Sequence, residues 1–455
     1  MPLIHARDAL LPTGWAQDVR IDVAPDGMIR AVTAGARIPA DAHDLLLPAP
    51  ANLHSHAFQR AMAGLTETRG PDPRDSFWTW RRQMYRFLDR LTPDDVEAIA
   101  ALVFMEMLEA GYASVAEFHY LHHGVGGQPY DDLAEMAGRI TAAAGQTGLG
   151  LTLLPVLYSR AGCDGRPLEG GQRRFGNELE RYARLHDASA VHLRAGPADH
   201  ALGIAPHSLR AVAPDALEAL VGLHPTGVIH MHLAEQGAEV DEVLHAHGAR
   251  PATWLLNRLD LDPRWCLIHC TQMTEDETRA LAATGAVVGL CPITESNLGD
   301  GIFNATVFTG AGGRFGIGSD SNVQIALFEE LAVLEYSQRL RDRSRAALAT
   351  PHRSTGRVLF DAALRGGAQA AGRKAGALAP GHWADIVALT TDTPHLCGRR
   401  GDSALDALIF TGRGRDAITD VWSAGRHVVS GGRHRARERI VRRFRTVMAR
   451  LGEVL

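Results

Sequence analysis

Lysine is almost missing from this chain: among its 47 lysines and arginines only Lys374 is a lysine. A metal pair bridged by a carboxylated lysine therefore has no lysine to use upstream of that residue. Long apolar runs are missing too, since none reaches the ~18–20 residues that a membrane span needs. There is no excess of positive charge. A net charge of −5 and a pI of about 6.5 argue against a nucleic-acid binder, which normally shows a basic balance. The first residues, Met1-Pro2-Leu3-Ile4-His5-Ala6-Arg7-Asp8, carry no signal-peptide pattern, so a cytoplasmic location is expected. The cysteines (Cys163, Cys266, Cys270, Cys291, Cys397) are odd in number and scattered. They read as small buried side chains in a reducing compartment, without a disulfide framework.

What the chain does have is Leu53-His54-Ser55-His56, just after the apolar run Leu45-Leu46-Leu47. Two histidines one residue apart at a strand end point to the same face, because strand side chains alternate with period two. Such a pair arises by chance in a chain with 22 histidines, so its weight comes from three later segments. These are His230-Met231-His232-Leu233-Ala234-Glu235, Cys266-Leu267-Ile268-His269 and Phe315-Gly316-Ile317-Gly318-Ser319-Asp320, each closing another apolar run.

At 455 residues the chain exceeds the usual size of one core, and a large domain with a smaller one is expected. Apolar runs at Leu45–Leu53, Ser114–Phe118, Leu151–Tyr158, Leu202–Ala205, Val228–His232, Cys266–His269, Ala286–Cys291 and Phe315–Ser319 alternate with helix-like segments. One of these starts at Thr92-Pro93, with Val96, Ile99, Val103, Phe104 and Met107 on one face, and stops at Gly111. Continuous apolar strands separated by helices indicate a parallel sheet covered on both faces. Eight such units, with ligand-type residues at their ends, predict an α/β fold of (β/α)8 TIM-barrel type with its active site at the C-terminal strand ends. The termini differ in style, with short alternating runs such as Val19–Val23, Met28–Val32, Ala384–Leu389 and Val421–Val429. The expected organisation is a small composite β-sandwich from residues 1–48 and 376–434, a barrel at 49–375, and a C-terminal helix at 435–455. In that helix Ile440, Val441, Phe444, Val447, Met448 and Leu451 recur at helical spacing, as in a docked amphipathic helix.

His54, His56, His232 and Asp320 supply three imidazoles and a carboxylate, a set that suits one zinc ion and leaves room for a water. The metal would lower the pKa of that water toward ~7. Glu235, three residues after His232, can carry a proton while staying off the metal. His269 can polarise the group under attack, and Asp320 can take a proton from the water. With no lysine available, a single divalent metal is expected, and Fe2+ shares these ligands with Zn2+. The cluster His119, His122 and His123 reads as surface or loop histidines rather than a second metal site.

These segments make the chain resemble the amidohydrolase superfamily in its mononuclear deaminase branch. Asn52–Ala63 (NLHSHAFQRAMA), Asp75–Trp80 with Arg81 (DSFWTWR), Ala116–His123 (AEFHYLHH), Thr152–Ser159 (TLLPVLYS), His207–Ala211 (HSLRA), His232–Gln236 (HLAEQ), Thr294–Phe303 (TESNLGDGIF) and Gly316–Ser321 (GIGSDS) narrow the resemblance to the formiminoglutamate deiminases of histidine degradation. One departure is Pro48-Ala49-Pro50, where the superfamily usually has Pro-Gly. The resemblance implies hydrolysis of a formimino group with release of ammonia, and it is compatible with a homodimer. A dicarboxylate substrate then calls for cations. Arg210, three residues past His207, and Arg81 or Arg82 are the candidates, with Gln59, Tyr120 and His207 as hydrogen-bond partners. Trp78 and Trp80 read as packing residues. The rival is a deaminase of a purine, pterin or adenosylhomocysteine-like compound, with the same metal residues and an apolar slot for the ring. Neither nucleic acid nor a membrane is expected as a partner.

Overall fold

The computed structural model describes residues 3–67 and 84–452. Its larger part is a closed parallel barrel of eight strands. They are Ala51–Ser55, Ser114–His119, Gly150–Leu157, a fourth broken into Ala201–Leu202 and Ala205–Pro206, Ile229–Leu233, Trp265–His269, Val287–Leu290 and Arg314–Ile317. The first four pair with one another and so do the last four. Single parallel bridges, Ile204 to Ile229 and Ser55 to Asp320, join the two halves and close the ring. The second of these bridges already sets Asp320 beside the first pair of histidines.

The apolar run Leu45–Leu53 divides in two, against the expectation of one strand. His43–Pro48 belongs to a second sheet and Ala51–Ser55 to the barrel. Proline has no N–H to give to a ladder, so Pro48 and Pro50 end one sheet and delay the next. Between them the N–H of Ala49 donates to the carbonyl of Asp385. The second sheet has eight strands, four from the start of the chain (Leu3–Leu11, Gly14–Val23, Ile29–Thr33, His43–Pro48) and four from its end (Ile386–Leu389, Ile418–Ser423, Arg426–Ser430, Arg433–His434). A bridge from Met28 to Trp383 brings its edge back toward its middle. The sheet thereby wraps a small core of Ile4, Val19, Ile21, Leu46 and Ile386.

The helix Pro93–Glu109 begins at a Thr92–Asp95 capping box with Pro at its first turn, and Gly111 follows it at φ 95°. It is buried on more than the one face its periodicity suggests. The C-terminal helix Arg437–Gly452 lies along its outer side, burying Ile440, Val447 and Leu451. Ion pairs from Arg437, Arg443 and Arg450 to Glu109, Glu97 and Asp95 hold the two helices together. Among the described residues no helix is long and apolar enough to cross a membrane.

One buried charge network ties the small sheet to the barrel. Arg426 binds Asp199 through both nitrogens at 2.7 and 2.8 Å, and Arg373 bridges Asp199 and Asp385 at 3.2 Å each. Burial pushes the Asp199 carboxyl up, but Arg426 and Arg373 outweigh it and hold the group below its ordinary range. Asp199→Asn takes from Arg426 its carboxylate partner and leaves the buried Arg373 with Asp385 alone, and should cost about 3 kcal/mol in urea unfolding. The wild-type advantage should be present above the pKa of the unfolded carboxyl and fade as pH falls through the lower folded value. An equal urea midpoint for both proteins at pH 7 would refute this.

Candidate active site

Strands one, five and eight deliver the metal group. His54 and His56 sit on and just past Ala51–Ser55, His232 on Ile229–Leu233, and Asp320 three residues beyond Ile317. One ligand atom from each lies within 4.8 Å of every other, and all four residues are buried. Asp320 Oδ1 stands 3.2 Å from His54 Nε2 and 3.1 Å from His56 Nε2. The main chains interlock there: Asp320 N–H donates to His54 O, and His56 N–H donates to Asp320 O, each at 2.9 Å. This approach requires glycine at 318, where a Cβ would come within 2.7 Å of the His54 carbonyl oxygen.

The ring orientations are fixed from behind. His56 Nδ1 lies 3.0 Å from Phe118 O, and His232 Nδ1 lies 3.2 Å from His207 O, so each Nε2 faces the common centre. Carbonyls in this position select the tautomer that leaves Nε2 free to ligate. His54 is wholly buried, and neither of its ring nitrogens has a hydrogen-bond partner. An orphaned imidazole costs free energy unless something binds it, and a divalent ion at this centre satisfies it. Burial lowers the pKa of His54 to about 3 and that of His232 well below the usual range. The Asp320 carboxyl is pushed up by burial but held well below its usual range by His54 and His56. Neutral imidazoles and an ionised carboxylate are the forms that bind metal.

Beside this group opens a cavity lined by His56, Gln59, Tyr120, His207, Arg210, His232, Glu235, His269 and Asp320, with Met84, Tyr85, Tyr158, Phe175 and Leu298 on its walls. The residues expected from the sequence thus meet in one place, except Arg81, which lies outside the described residues together with Arg82, Trp78 and Trp80. Gln59 Nε2 donates to Tyr120 Oη at 2.6 Å, and His207 Nδ1 lies 3.0 Å from Ser208 Oγ. Glu235 stands just off the metal group, with Oε1 3.8 Å from His269 Nε2 and Oε2 4.0 Å from Arg210 Nη2. Its main-chain N–H donates to Glu239 Oε2 at 2.9 Å. Burial lowers the pKa of His269, but Glu235, Glu295 and Asp320 outweigh it and raise it to about 10. Ala234, His269, Cys270, Asp320 and Asn322 all have positive φ, between 45° and 70°. Such conformations are costly for residues other than glycine and gather where function demands them.

A family model described as amidohydrolase family matches residues 45–428. The chain belongs to the amidohydrolase family. A second model, for the N-terminal domain of formimidoylglutamate deiminase HutF, matches residues 1–44. This amidohydrolase is 49% identical over 461 residues to a formimidoylglutamate deiminase of Pseudomonas aeruginosa, covering 100% of both chains. An 8-oxoguanine deaminase of the same species is 28% identical, with 90% of this chain and 89% of the relative covered. Among solved structures, an amidohydrolase from Brucella melitensis superposes with a TM-score of 0.94 at 49% identity, covering 99% of this chain and 100% of that one. A zinc-bound adenosine deaminase from Xanthomonas campestris shares the fold at 22% identity, with a TM-score of 0.82 and coverage of 99% and 98%.

Several features of this amidohydrolase escape a reading of strand ends alone. His119, His122 and His123 are buried, contrary to the surface reading. His122 Nε2 lies 3.0 Å from Val156 O, and His123 Nε2 lies 3.0 Å from Gly176 O. Among the described residues they do not form a metal group. Cys397 is exposed, unlike the other four cysteines. Strand seven also contributes: Glu295 reaches His269 at 3.2 Å. Buried Asp300 accepts a hydrogen bond from Gln236, next to Glu235. Both acids lie in TESNLGDG, where their presence just past an apolar run was the available signal.

Proposed function

We propose that this amidohydrolase hydrolyses N-formimidoyl-L-glutamate to N-formyl-L-glutamate and ammonia, in histidine degradation. The observation that carries the reading is 49% identity to a formimidoylglutamate deiminase across the whole of both chains, and the chemistry of the cavity supports it. A formimino group is an amidinium cation at neutral pH, and the cavity floor offers it the carboxylates of Glu235 and Asp320. An apolar ring would also find aromatic walls here, but it has no use for the buried guanidinium of Arg210.

When bound at His54, His56, His232 and Asp320, a divalent ion supplies an acidified water as the nucleophile. Asp320, beside His54 and His56, is placed to take the proton that a water gives up on adding to the formimino carbon. His269 donates to the oxygen added at the formimino carbon and steadies the tetrahedral centre. Glu235 takes the proton of the added hydroxyl as the carbonyl forms and hands it to the departing nitrogen, the carbon–nitrogen bond to it breaks, and ammonia leaves with the proton on Asp320 passing to solvent. Water has then been added across the formimino carbon and the formyl group remains. Gln59, Tyr120 and His207 line the substrate's path, and Arg81 is assigned to the second substrate carboxylate. The reading takes zinc as the ion, because three imidazoles and a carboxylate suit it. It also takes the cytoplasm as the compartment and a homodimer as the assembly, which light scattering tests.

Arg210 lies nearer the reacting end than a remote carboxylate clamp would. In the substrate the α-carboxylate is only three bonds, about 4 Å, from the formimino carbon, so we assign it to Arg210. Glu239 and Glu235 keep the guanidinium charged despite its burial. Arg210→Met should remove a charge-assisted contact worth roughly 1.5–3 kcal/mol, seen mainly in KM with the metal content unchanged. Hydrolysis of 4-(formimidoylamino)butanoate, which lacks the α-carboxylate, should scarcely respond. Equal damage to both substrates would reject this contact, and failure of the wild type to release ammonia from formimidoylglutamate would reject the function.

A further inference from the structure

The seventh strand's contribution has no role in the reaction as described so far. Glu295 lies in the short helix Pro292–Leu298 that follows strand seven, and it is buried. Its Oε1 sits 3.2 Å from His269 Nδ1 and also accepts the N–H of Cys291 at 2.8 Å. His269 turns its other nitrogen, Nε2, toward Glu235 and the cavity. The imidazole therefore spans two acids, one facing the cavity and one on the protein side. His269 holds this pose from a left-handed backbone, φ 70°, with Cys270 at φ 56° after it.

We infer that Glu295 is a positioning residue for the reaction: its carboxylate accepts the Nδ1–H of His269, fixing the ring so that Nε2 presents its proton to the substrate. A carboxylate behind an imidazole sets tautomer and orientation and stabilises the imidazolium. The competing explanation is that Glu295 only caps its own helix through Cys291. Glutamine distinguishes the two, because its amide oxygen can still accept from Cys291 while the charge is gone. The inference rests on the proposed deiminase reading, so its test has one arm that needs no substrate.

With 15N-histidine labelling, the wild-type protein should show a downfield imidazole N–H proton that is absent in His269→Asn and shifted upfield in Glu295→Gln. In turnover, Glu295→Gln should lower kcat by roughly 10–100-fold, as losing an orienting carboxylate does elsewhere, with KM and metal content held. In a His269→Asn background the same change should alter kcat by less than about twofold, because the residues act as a unit. Glu295→Asp, which keeps the charge on a shorter stem, should fall between, and it serves alone if the glutamine variant does not fold. Wild-type kcat in Glu295→Gln, or a loss that adds in full to that of His269→Asn, would overturn the inference. An inactive wild type that shows the downfield proton would reject the substrate and leave the pair standing.

Discussion

Glu235→Gln should slow the release of ammonia from formimidoylglutamate by roughly 10²–10⁴-fold, the usual worth of a positioned general acid–base. The structure separates its two possible roles. Glu235 is not among the four residues whose ligand atoms converge, but it stands beside them, 3.8 Å from His269 and 4.0 Å from Arg210. Its position is set by the main chain, since Ala234 has φ 51° and the Glu235 N–H is tied to Glu239. Glutamine keeps size and shape and can take the same pose, but it has no proton to give to the departing nitrogen. Metal content by elemental analysis should match the wild type. Activity that falls in step with metal loss would make Glu235 a ligand and remove the proton carrier from the mechanism.

Much of this site was legible in the sequence because barrel strands are simple. A period of two puts His54 and His56 on one face, and a parallel strand brings its C-terminal end to the common rim, so His232, His269 and Asp320 could be placed without coordinates. Legibility failed where the deciding contact was tertiary or the break was local. Leu45–Leu53 reads as one apolar strand, and only the missing N–H groups of Pro48 and Pro50 divide it between two sheets. Glu295 and Asp300 follow strand seven on a helix and just past it, so no period in the sequence aims their carboxylates at His269 and Gln236. His122 and His123 look like loop residues, yet each is buried with its ring on a main-chain carbonyl. Arg210 is expected at this rim from its place after His207, but its closeness to Glu235, on which the proposed α-carboxylate contact rests, required the fold.

Asp320→Asn should abolish turnover, by roughly 10⁴-fold or more, because one substitution removes a metal ligand and a proton acceptor together. The change is conservative where it could have been confounded. Asp320 has φ 45°, a conformation that asparagine tolerates well, and the main-chain bonds to His54 and His56 do not involve its side chain. What is lost is the charge 3.2 and 3.1 Å from the two imidazoles. The wild type should carry one ion per chain, since no lysine is available to bridge a second, and the variant clearly less. A readout free of catalysis comes from heating. An ion that binds only the folded state stabilises it by about 4 kcal/mol at a thousandfold excess over Kd. Added zinc should therefore raise the melting temperature of the metal-stripped wild type and do little for the variant. An equal rise in both proteins would show that the ion sits elsewhere. Two tightly held ions per wild-type chain, both needed for activity, would end the single-metal account.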